Sequence, residues 1–161
     1  MRGLERFTPA DAGELAAFLT AADLTVAGLD DPRVRLWLLR DASGALVGST
    51  GFEISAGGDD VIVRSVAVAA EARGARLGTR LAEHALERAA AGGARRAWLF
   101  SRRSGPFWQG LGFEPADRDE LAVALATTQQ VRLFVSTGQL AREIAWRREL
   151  DTAGGGAAAP A

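Results

Sequence analysis

The chain contains no cysteine, no tyrosine and no lysine, and a single histidine. Without cysteine there is no disulfide framework, no thiolate metal site and no thiol nucleophile. His84 alone cannot build a histidine metal cluster, and no metal site is expected. No stretch approaches the ~18 consecutive apolar residues that span a bilayer. The opening MRGLERFTPADAGEL carries acidic residues early and lacks the apolar core of a signal peptide, so a cytoplasmic location is expected. A surplus of positive charge is also missing: 19 basic residues, all arginine, face 20 acidic ones, for a net charge of -1. That balance argues against a dedicated nucleic-acid binder.

What is present is enough for one folded domain. The chain has 161 residues, of which 48% are hydrophobic. One domain is expected over residues 1–150. The remainder, DTAGGGAAAPA at 151–161, is low in complexity and expected to be disordered. No internal repeat is visible.

The periodicity gives an order of elements. Leu4 to Phe7 alternates as a strand. Thr8 and Pro9 look like the N-cap and first position of a helix, whose apolar stripe is Leu15, Phe18 and Leu19. Leu24 to Pro32 is irregular, with room for a short helix. Arg33 to Arg40 and Ala45 to Ile54 read as a hairpin around the turn at 41–44. Val61 to Ala69 is the most strand-like run in the chain. The period then lengthens: Leu77, Leu81, Ala85 and Ala89 are four apart, an amphipathic helix of about four turns. Gly92-Gly93 ends it. Ala94 to Ser101 returns to strand, which predicts a parallel βαβ unit. Short helices are predicted at Pro106 to Leu111 and Asp119 to Ala126, and a last strand at Arg142 to Leu150.

Chemistry concentrates between Val61 and Thr79. A buried strand feeds Arg73-Gly74-Ala75-Arg76-Leu77-Gly78, and a long helix begins inside that run. Such a loop presents free backbone N–H groups, and the helix dipole adds positive character, so the site suits a phosphate. Gly74 and Gly78 permit close backbone approach. Arg73 and Arg76 add full charge, and Thr79 offers a hydroxyl. The alternative is a tight strand–helix connection with solvated arginines. The run is neither a P-loop, since Gly-Lys-Ser/Thr is absent, nor a full dinucleotide fingerprint.

The segment Val66 to Gly78 resembles the acetyl-CoA signature of the GCN5-related N-acetyltransferases (the GNAT family): Arg or Gln, two residues, Gly, one residue, then Gly or Ala. Arg73 opens it and Gly78 closes it. Arg76 stands where a middle glycine is usual. A second stretch, Ser101-Arg102-Arg103-Ser104-Gly105-Pro106-Phe107-Trp108-Gln109-Gly110-Leu111-Gly112-Phe113, resembles the family's Asn-x-x-Ala-x-x-Phe-Tyr-x-x-x-Gly-Phe segment at the same spacing. Within the family, Val63 to Val68, Phe107 to Phe113 and the tail from Asp117 look most similar to the arsenic-resistance-associated members.

The resemblance implies an α/β (α+β) GNAT fold, a mostly antiparallel mixed sheet splayed after the fourth strand and flanked by helices. It implies an acetyl-CoA-dependent acyltransferase acting on the primary amine of a small molecule, with an amino-acid-like acceptor as one option. By the same resemblance, the backbone of Val66, Ala67 and Val68 holds the pantetheine arm and polarises the thioester. The pyrophosphate sits on the amides of Arg73, Gly74, Ala75, Arg76, Gly78 and Thr79, and Ser101 replaces the family's Asn near the cofactor. The family's frequent Tyr acid is replaced by Trp108, whose indole N–H is a donor but no useful acid.

Because an alkylammonium of pKa ~10 must lose a proton before attack, a base is needed. Glu53, at a strand end, is the candidate, against the reading of a solvated carboxylate. Arg64, sharing a face with Val66 and Val68 by alternation, is a candidate for a substrate carboxylate or an edge ion pair. His84 reads as a partly exposed helix histidine, and Arg102 and Arg103 either line the substrate mouth or, the preferred reading, solvate the loop. Competing readings are a non-catalytic acyl-CoA sensor, a protein acetyltransferase and a plain interaction domain. No nucleic-acid or membrane partner is expected, and the chain is expected to be a monomer or homodimer.

Overall fold

The structure is a computed structural model that describes residues 3–151. The low-complexity tail lies outside these from residue 152 onward. Among the described residues, eight strands and five α-helices run in the order β1 (Glu5–Arg6), α1 (Ala12–Ala21), β2 (Val34–Arg40), β3 (Leu46–Ile54), β4 (Asp60–Val63), β5 (Ala67–Val68), α2 (Leu77–Ala91), β6 (Arg96–Phe100), α3 (Gly105–Gly110), β7 (Glu114–Ala116), α4 (Arg118–Ala124), α5 (Gln129–Thr137) and β8 (Ala145–Glu149). They form one sheet in the order β1-β2-β3-β4-β6-β8-β7, with β5 also on β3. Among these pairings, β4 with β6 is the parallel one.

The sheet has helices on both faces. Trp37, Val61, Val63, Ala97, Leu99 and Trp146 pack with Ala82, Ala85, Leu86 and Ala89 of α2. On the opposite face Ile62, Trp98 and Ala145 pack with Leu121 and Leu125 around α4 and with Val131 of α5. Leu15 and Leu19 of α1 sit on Val34, Leu36 and Leu38 of β2. The two residues of that α1 stripe are fully buried and Phe18 packs beside them. Thr8 and Asp11 form a reciprocal capping box ahead of α1, with the Thr8 amide 2.9 Å from the Asp11 carboxylate.

Four segments differ from the sequence reading. Leu24 to Pro32 contains turns and no helix. The strand expected over Val61 to Ala69 is broken in two. A further helix, α5, and the short strand β7 stand where no element was expected. The signals for α5 are nonetheless in the chain. Thr128 caps it by accepting from the Val131 amide at 3.3 Å, and Gly138 closes it with φ +77.

Candidate active site

The break between β4 and β5 is a β-bulge. Phe52 opposes Val63, whereas Ser49 opposes Ala67, so segment 64–66 carries one residue more than the β3 segment it faces. The extra residue is accommodated at Ser65, whose φ is +62. Its carbonyl is tied down by the Ser49 hydroxyl at 2.6 Å, and the Arg64 amide reaches the Gly51 carbonyl at 3.0 Å. A bulge bends its strand. β6 pairs with β4 only as far as Ile62 opposite Trp98. Beyond that point β5 stays on β3 while β6 continues along β8, and a gap opens between them.

The gap has a free peptide edge. The Ala69 amide donates to Val47 at 2.8 Å, which places Ala69 and Ala67 at the hydrogen-bonded pairs with β3. Alternation along an antiparallel ladder then turns the N–H and C=O of Val68 and Val66 away from β3, toward the gap. Ala67, expected to share their role, directs its peptide groups to Ser49.

A cleft of about 1070 Å³ occupies this gap and reaches both faces of the sheet. On the α2 face it is bordered by Val68, Arg73, Gly74, Arg76, Gly78, Thr79, Phe107 and Trp108. After a single 3-10 turn at Ala70–Ala72 the chain takes φ +104 at Gly74, +51 at Ala75 and +55 at Arg76. Gly74 adopts this conformation without a Cβ clash, while Ala75 and Arg76 hold it against their side chains. Arg76 caps α2 without a side-chain hydrogen bond, and no acidic residue lies in the first turn. Leu77 donates to Gly74 and Arg80 to Arg76. The amides of Gly74, Ala75, Arg76, Gly78 and Thr79 have no partner among the described residues. Arg73 and Arg76 are exposed beside them. This is an anion cradle of phosphate size, built from N–H groups, a helix dipole and two guanidinium groups. A Cβ on Gly78 would lie 3.8 Å from the Phe107 ring and 3.9 Å from Val68, in ordinary contact, so a methyl fits there and a longer side chain would extend toward the cleft wall.

Trp108 is buried and packs edge-on against Phe107 and Phe113, at 5.0 and 5.4 Å between centroids. Ser101 borders the cleft, and its hydroxyl accepts the Ser104 amide at 3.0 Å ahead of α3.

The α5 face of the cleft differs in chemistry. Its border includes Thr25, Arg64, Gln130, Phe134, Gln139 and Glu143. The bulge cancels the alternation expected between Arg64 and Val66. Val66 packs on the α2 side with Trp37 and Trp108, whereas the Arg64 guanidinium meets Glu53, which lies opposite Ile62 on the α5 face. Arg64 Nη1 is 3.4 Å from Glu53 Oε1, and its Nε is 3.3 Å from the Ser65 hydroxyl. Its Nη2 is buried with no partner. Burial pushes the Arg64 guanidinium below its ordinary value, and the Glu53 charge only partly offsets this.

Glu53 does not stand where a base was expected. It is 1% exposed and is not on the border of the cleft. Its carboxylate accepts the amides of Gln129 and Gln130 at the start of α5, together with Arg64. The carboxylates that do border the cleft are Asp23 and Glu143. Sequence reading missed Glu143 because it follows an unexpected helix. His84, mid-α2, packs edge-on to Trp37 at 5.0 Å between ring centroids, away from the cleft. Its Nε2 is buried without a partner.

Comparison with known proteins agrees with this geometry. The acetyltransferase (GNAT) family model matches residues 5–113. No curated protein matches the chain in sequence. Among solved structures, N-acetylglutamate synthase from Neisseria gonorrhoeae, complexed with coenzyme A and N-acetyl-glutamate, superposes with a TM-score of 0.74 at 20% identity, over 93% of this chain and 36% of that one. The chain thus spans about a third of that relative's length. A GNAT-family acetyltransferase from Staphylococcus aureus superposes at TM-score 0.71 and 14% identity, over 92% of this chain and 98% of that one. An aminoglycoside 6'-N-acetyltransferase complexed with coenzyme A gives 0.67 at 13% identity, over 92% and 97%. At these identities the likeness is one of fold. The family model covers most of the chain, and the cleft has the anion cradle and free strand edge that a coenzyme A thioester needs. This protein belongs to the acetyltransferase (GNAT) family.

Proposed function

We propose that the chain transfers the acetyl group of acetyl-CoA to the primary amine of a small, amino-acid-like molecule. The observation that carries this reading is the bulge at Ser65, which opens the sheet beside the free edge of Val66 and Val68 and in line with the amide cradle. Acetyl-CoA supplies an activated acetyl group as a thioester. The amides of Gly74 to Thr79 hold the pyrophosphate. Val66 and Val68 bind the pantetheine arm as an added strand would, and an N–H of this edge polarises the thioester carbonyl. Ala67 contributes wall rather than hydrogen bonds. Trp108 shapes the wall near the sulfur, and the thiol, of pKa near ~8.5, leaves without a side-chain acid. Ser101 adds a hydroxyl at the same end.

Arg64 gives the acceptor half its selectivity. A guanidinium fork with an unused amino group is matched by a carboxylate. The Neisseria relative, crystallised with N-acetyl-glutamate, is an amino-acid example on this fold. The likeness of Val63–Val68, Phe107–Phe113 and the tail from Asp117 to arsenic-resistance-associated members supports placing the chain near that subfamily. Two observations favour a second reading, a non-catalytic acyl-CoA sensor: Tyr is absent and Glu53 is turned away from the cleft.

The test is thiol release from acetyl-CoA over a panel of amino acids, their amides and their decarboxylated amines. Turnover at least tenfold faster with carboxylate-bearing amines is expected. Equal turnover with the amides would contradict the Arg64 assignment, and acetyl-CoA binding without turnover on any amine would establish the sensor.

A further inference from the structure

With Glu53 buried behind Arg64, the proton of the incoming amine needs another acceptor. We infer that Glu143 is that acceptor, the general base of the transfer; this rests on the acetyltransferase reading above. Glu143 stands just before β8. Across the ladder Phe100 pairs with Ala145 and the Ser101 amide donates to the Ile144 carbonyl at 2.9 Å, so Glu143 faces Arg102 one step beyond. It therefore sits at the end of β6 that lines the gap, on the same sheet face as Arg64 and α5.

The side chain is held and only half used. Glu143 is 8% exposed. Its Oε2 accepts from Gln139 Nε2 at 2.5 Å and lies 3.5 Å from Arg102 Nε. The hydrogen bond and the ion pair of its side chain both fall on Oε2, which leaves Oε1 without a hydrogen bond among the described residues, and the residue borders the cleft. Asp23, the other carboxylate on the border, lies in an exposed pair with Arg103 and is 80% exposed. A preorganised carboxylate with one free oxygen on the acceptor side is what a general base requires.

The charged groups around Glu143 are Arg102 just past β6, Arg118 of α4 on its backbone carbonyl, Arg142 next to it in the chain and Arg64 elsewhere on the cleft border. All four are cations.

The step balances as follows. The neutral amine's lone pair forms the N–C bond to the thioester carbon. As it does so, the N–H proton passes to Glu143 Oε1. The C–S bond breaks with its electron pair on sulfur, the thiolate takes a proton from water, and Glu143 gives its own proton back to the solvent. The products are the N-acetylated acceptor and coenzyme A thiol.

The experiment compares the full chain with Glu143→Gln and Glu143→Asp, using the best amine from the panel. General-base removal predicts that Glu143→Gln lowers kcat by about 100-fold or more. KM for acetyl-CoA and its thermal stabilisation of the protein stay unchanged, and the Asp variant recovers part of kcat. In the wild type the acid limb of the pH profile of kcat reports Glu143, and that limb disappears in the Gln variant. A Glu143→Gln protein with kcat within threefold of wild type, or with its acid limb intact, would overturn the assignment. Should the Gln variant lose stability, the Asp variant's pH profile decides alone: an unshifted acid limb overturns it. Absence of thiol release by the wild type on every amine would instead remove the acetyltransferase reading itself.

Discussion

The Glu53 carboxylate accepts the first amides of α5 and lies 3.4 Å from the Arg64 guanidinium. A carboxylate at a strand end beside a cleft looks like a base in one dimension. In three dimensions it is 1% exposed and joins three elements: β3, Arg64 beyond β4 and the first amides of α5. Its removal leaves a buried guanidinium without compensation, which costs about 3–5 kcal/mol when one member of a buried pair is lost. Urea unfolding of Glu53→Gln is expected to show that loss. A Gln variant of wild-type stability but without turnover would point back to a catalytic carboxylate. The information missing from the sequence was α5. A helix N-terminus satisfies carboxylates, and without the helix Glu53 has no visible partner. Arg64 was misplaced for a related reason, because alternation holds only where the ladder is regular and Ser65 interrupts it.

At the scale of elements, long periodic segments were the readable ones: α2, the β2–β3 hairpin and the parallel β4–β6 pair follow their apolar spacing directly. The bulge was invisible because VIVRSVAVA satisfies the strand pattern at every residue. Its cost is visible only in the partner strand. Gly51 lies on β3 where its carbonyl receives the Arg64 amide, and a Cβ there would collide with the Arg35 carbonyl oxygen and crowd Leu36. Gly51→Ala is therefore expected to lose about 1–3 kcal/mol in denaturant unfolding, as overpacked sites do.

The parallel pair has its own fastening. Asp60 accepts from Arg96 Nε and from Trp98 Nε1, each at 2.8 Å. Burial raises the Asp60 carboxyl, but the hydrogen bonds and charge of Arg96 and the Trp98 bond outweigh it, so the group is held below its ordinary value. A depressed carboxyl stabilises the folded state above the unfolded value, and this is lost as pH falls through the folded one. Asp60→Asn is thus expected to lower the melting temperature at neutral pH. The difference from wild type should shrink in the acid range, and a difference that persists unchanged there would contradict the assignment.

Over the whole molecule, one cleft crosses the sheet with a different chemistry on each side. The α2 side offers unpartnered amides, a helix dipole and arginines, and the α5 side offers Arg64, Glu143 and neutral polar side chains. The bulge separates the two environments and keeps the peptide edge of Val66 and Val68 between them. The cofactor half was readable from Arg73 to Gly78 because backbone geometry, glycine and charge act locally there. The acceptor half was not, since it is assembled from the 20–25 loop, Arg64, α5 and the start of β8, which are far apart in sequence.

The central claim is that the amide cradle and the split strand bind acetyl-CoA. It is tested most directly by thermal unfolding with and without acetyl-CoA, with Gly78→Glu as control. At a ligand concentration 100 times Kd, a binder of the folded state alone gains about 2.7 kcal/mol. The wild type is expected to show a shift of that order. Gly78→Glu, which sets a carboxylate against the pyrophosphate beneath Phe107, should lose it while remaining folded. No shift in the wild type at millimolar acetyl-CoA would contradict the account.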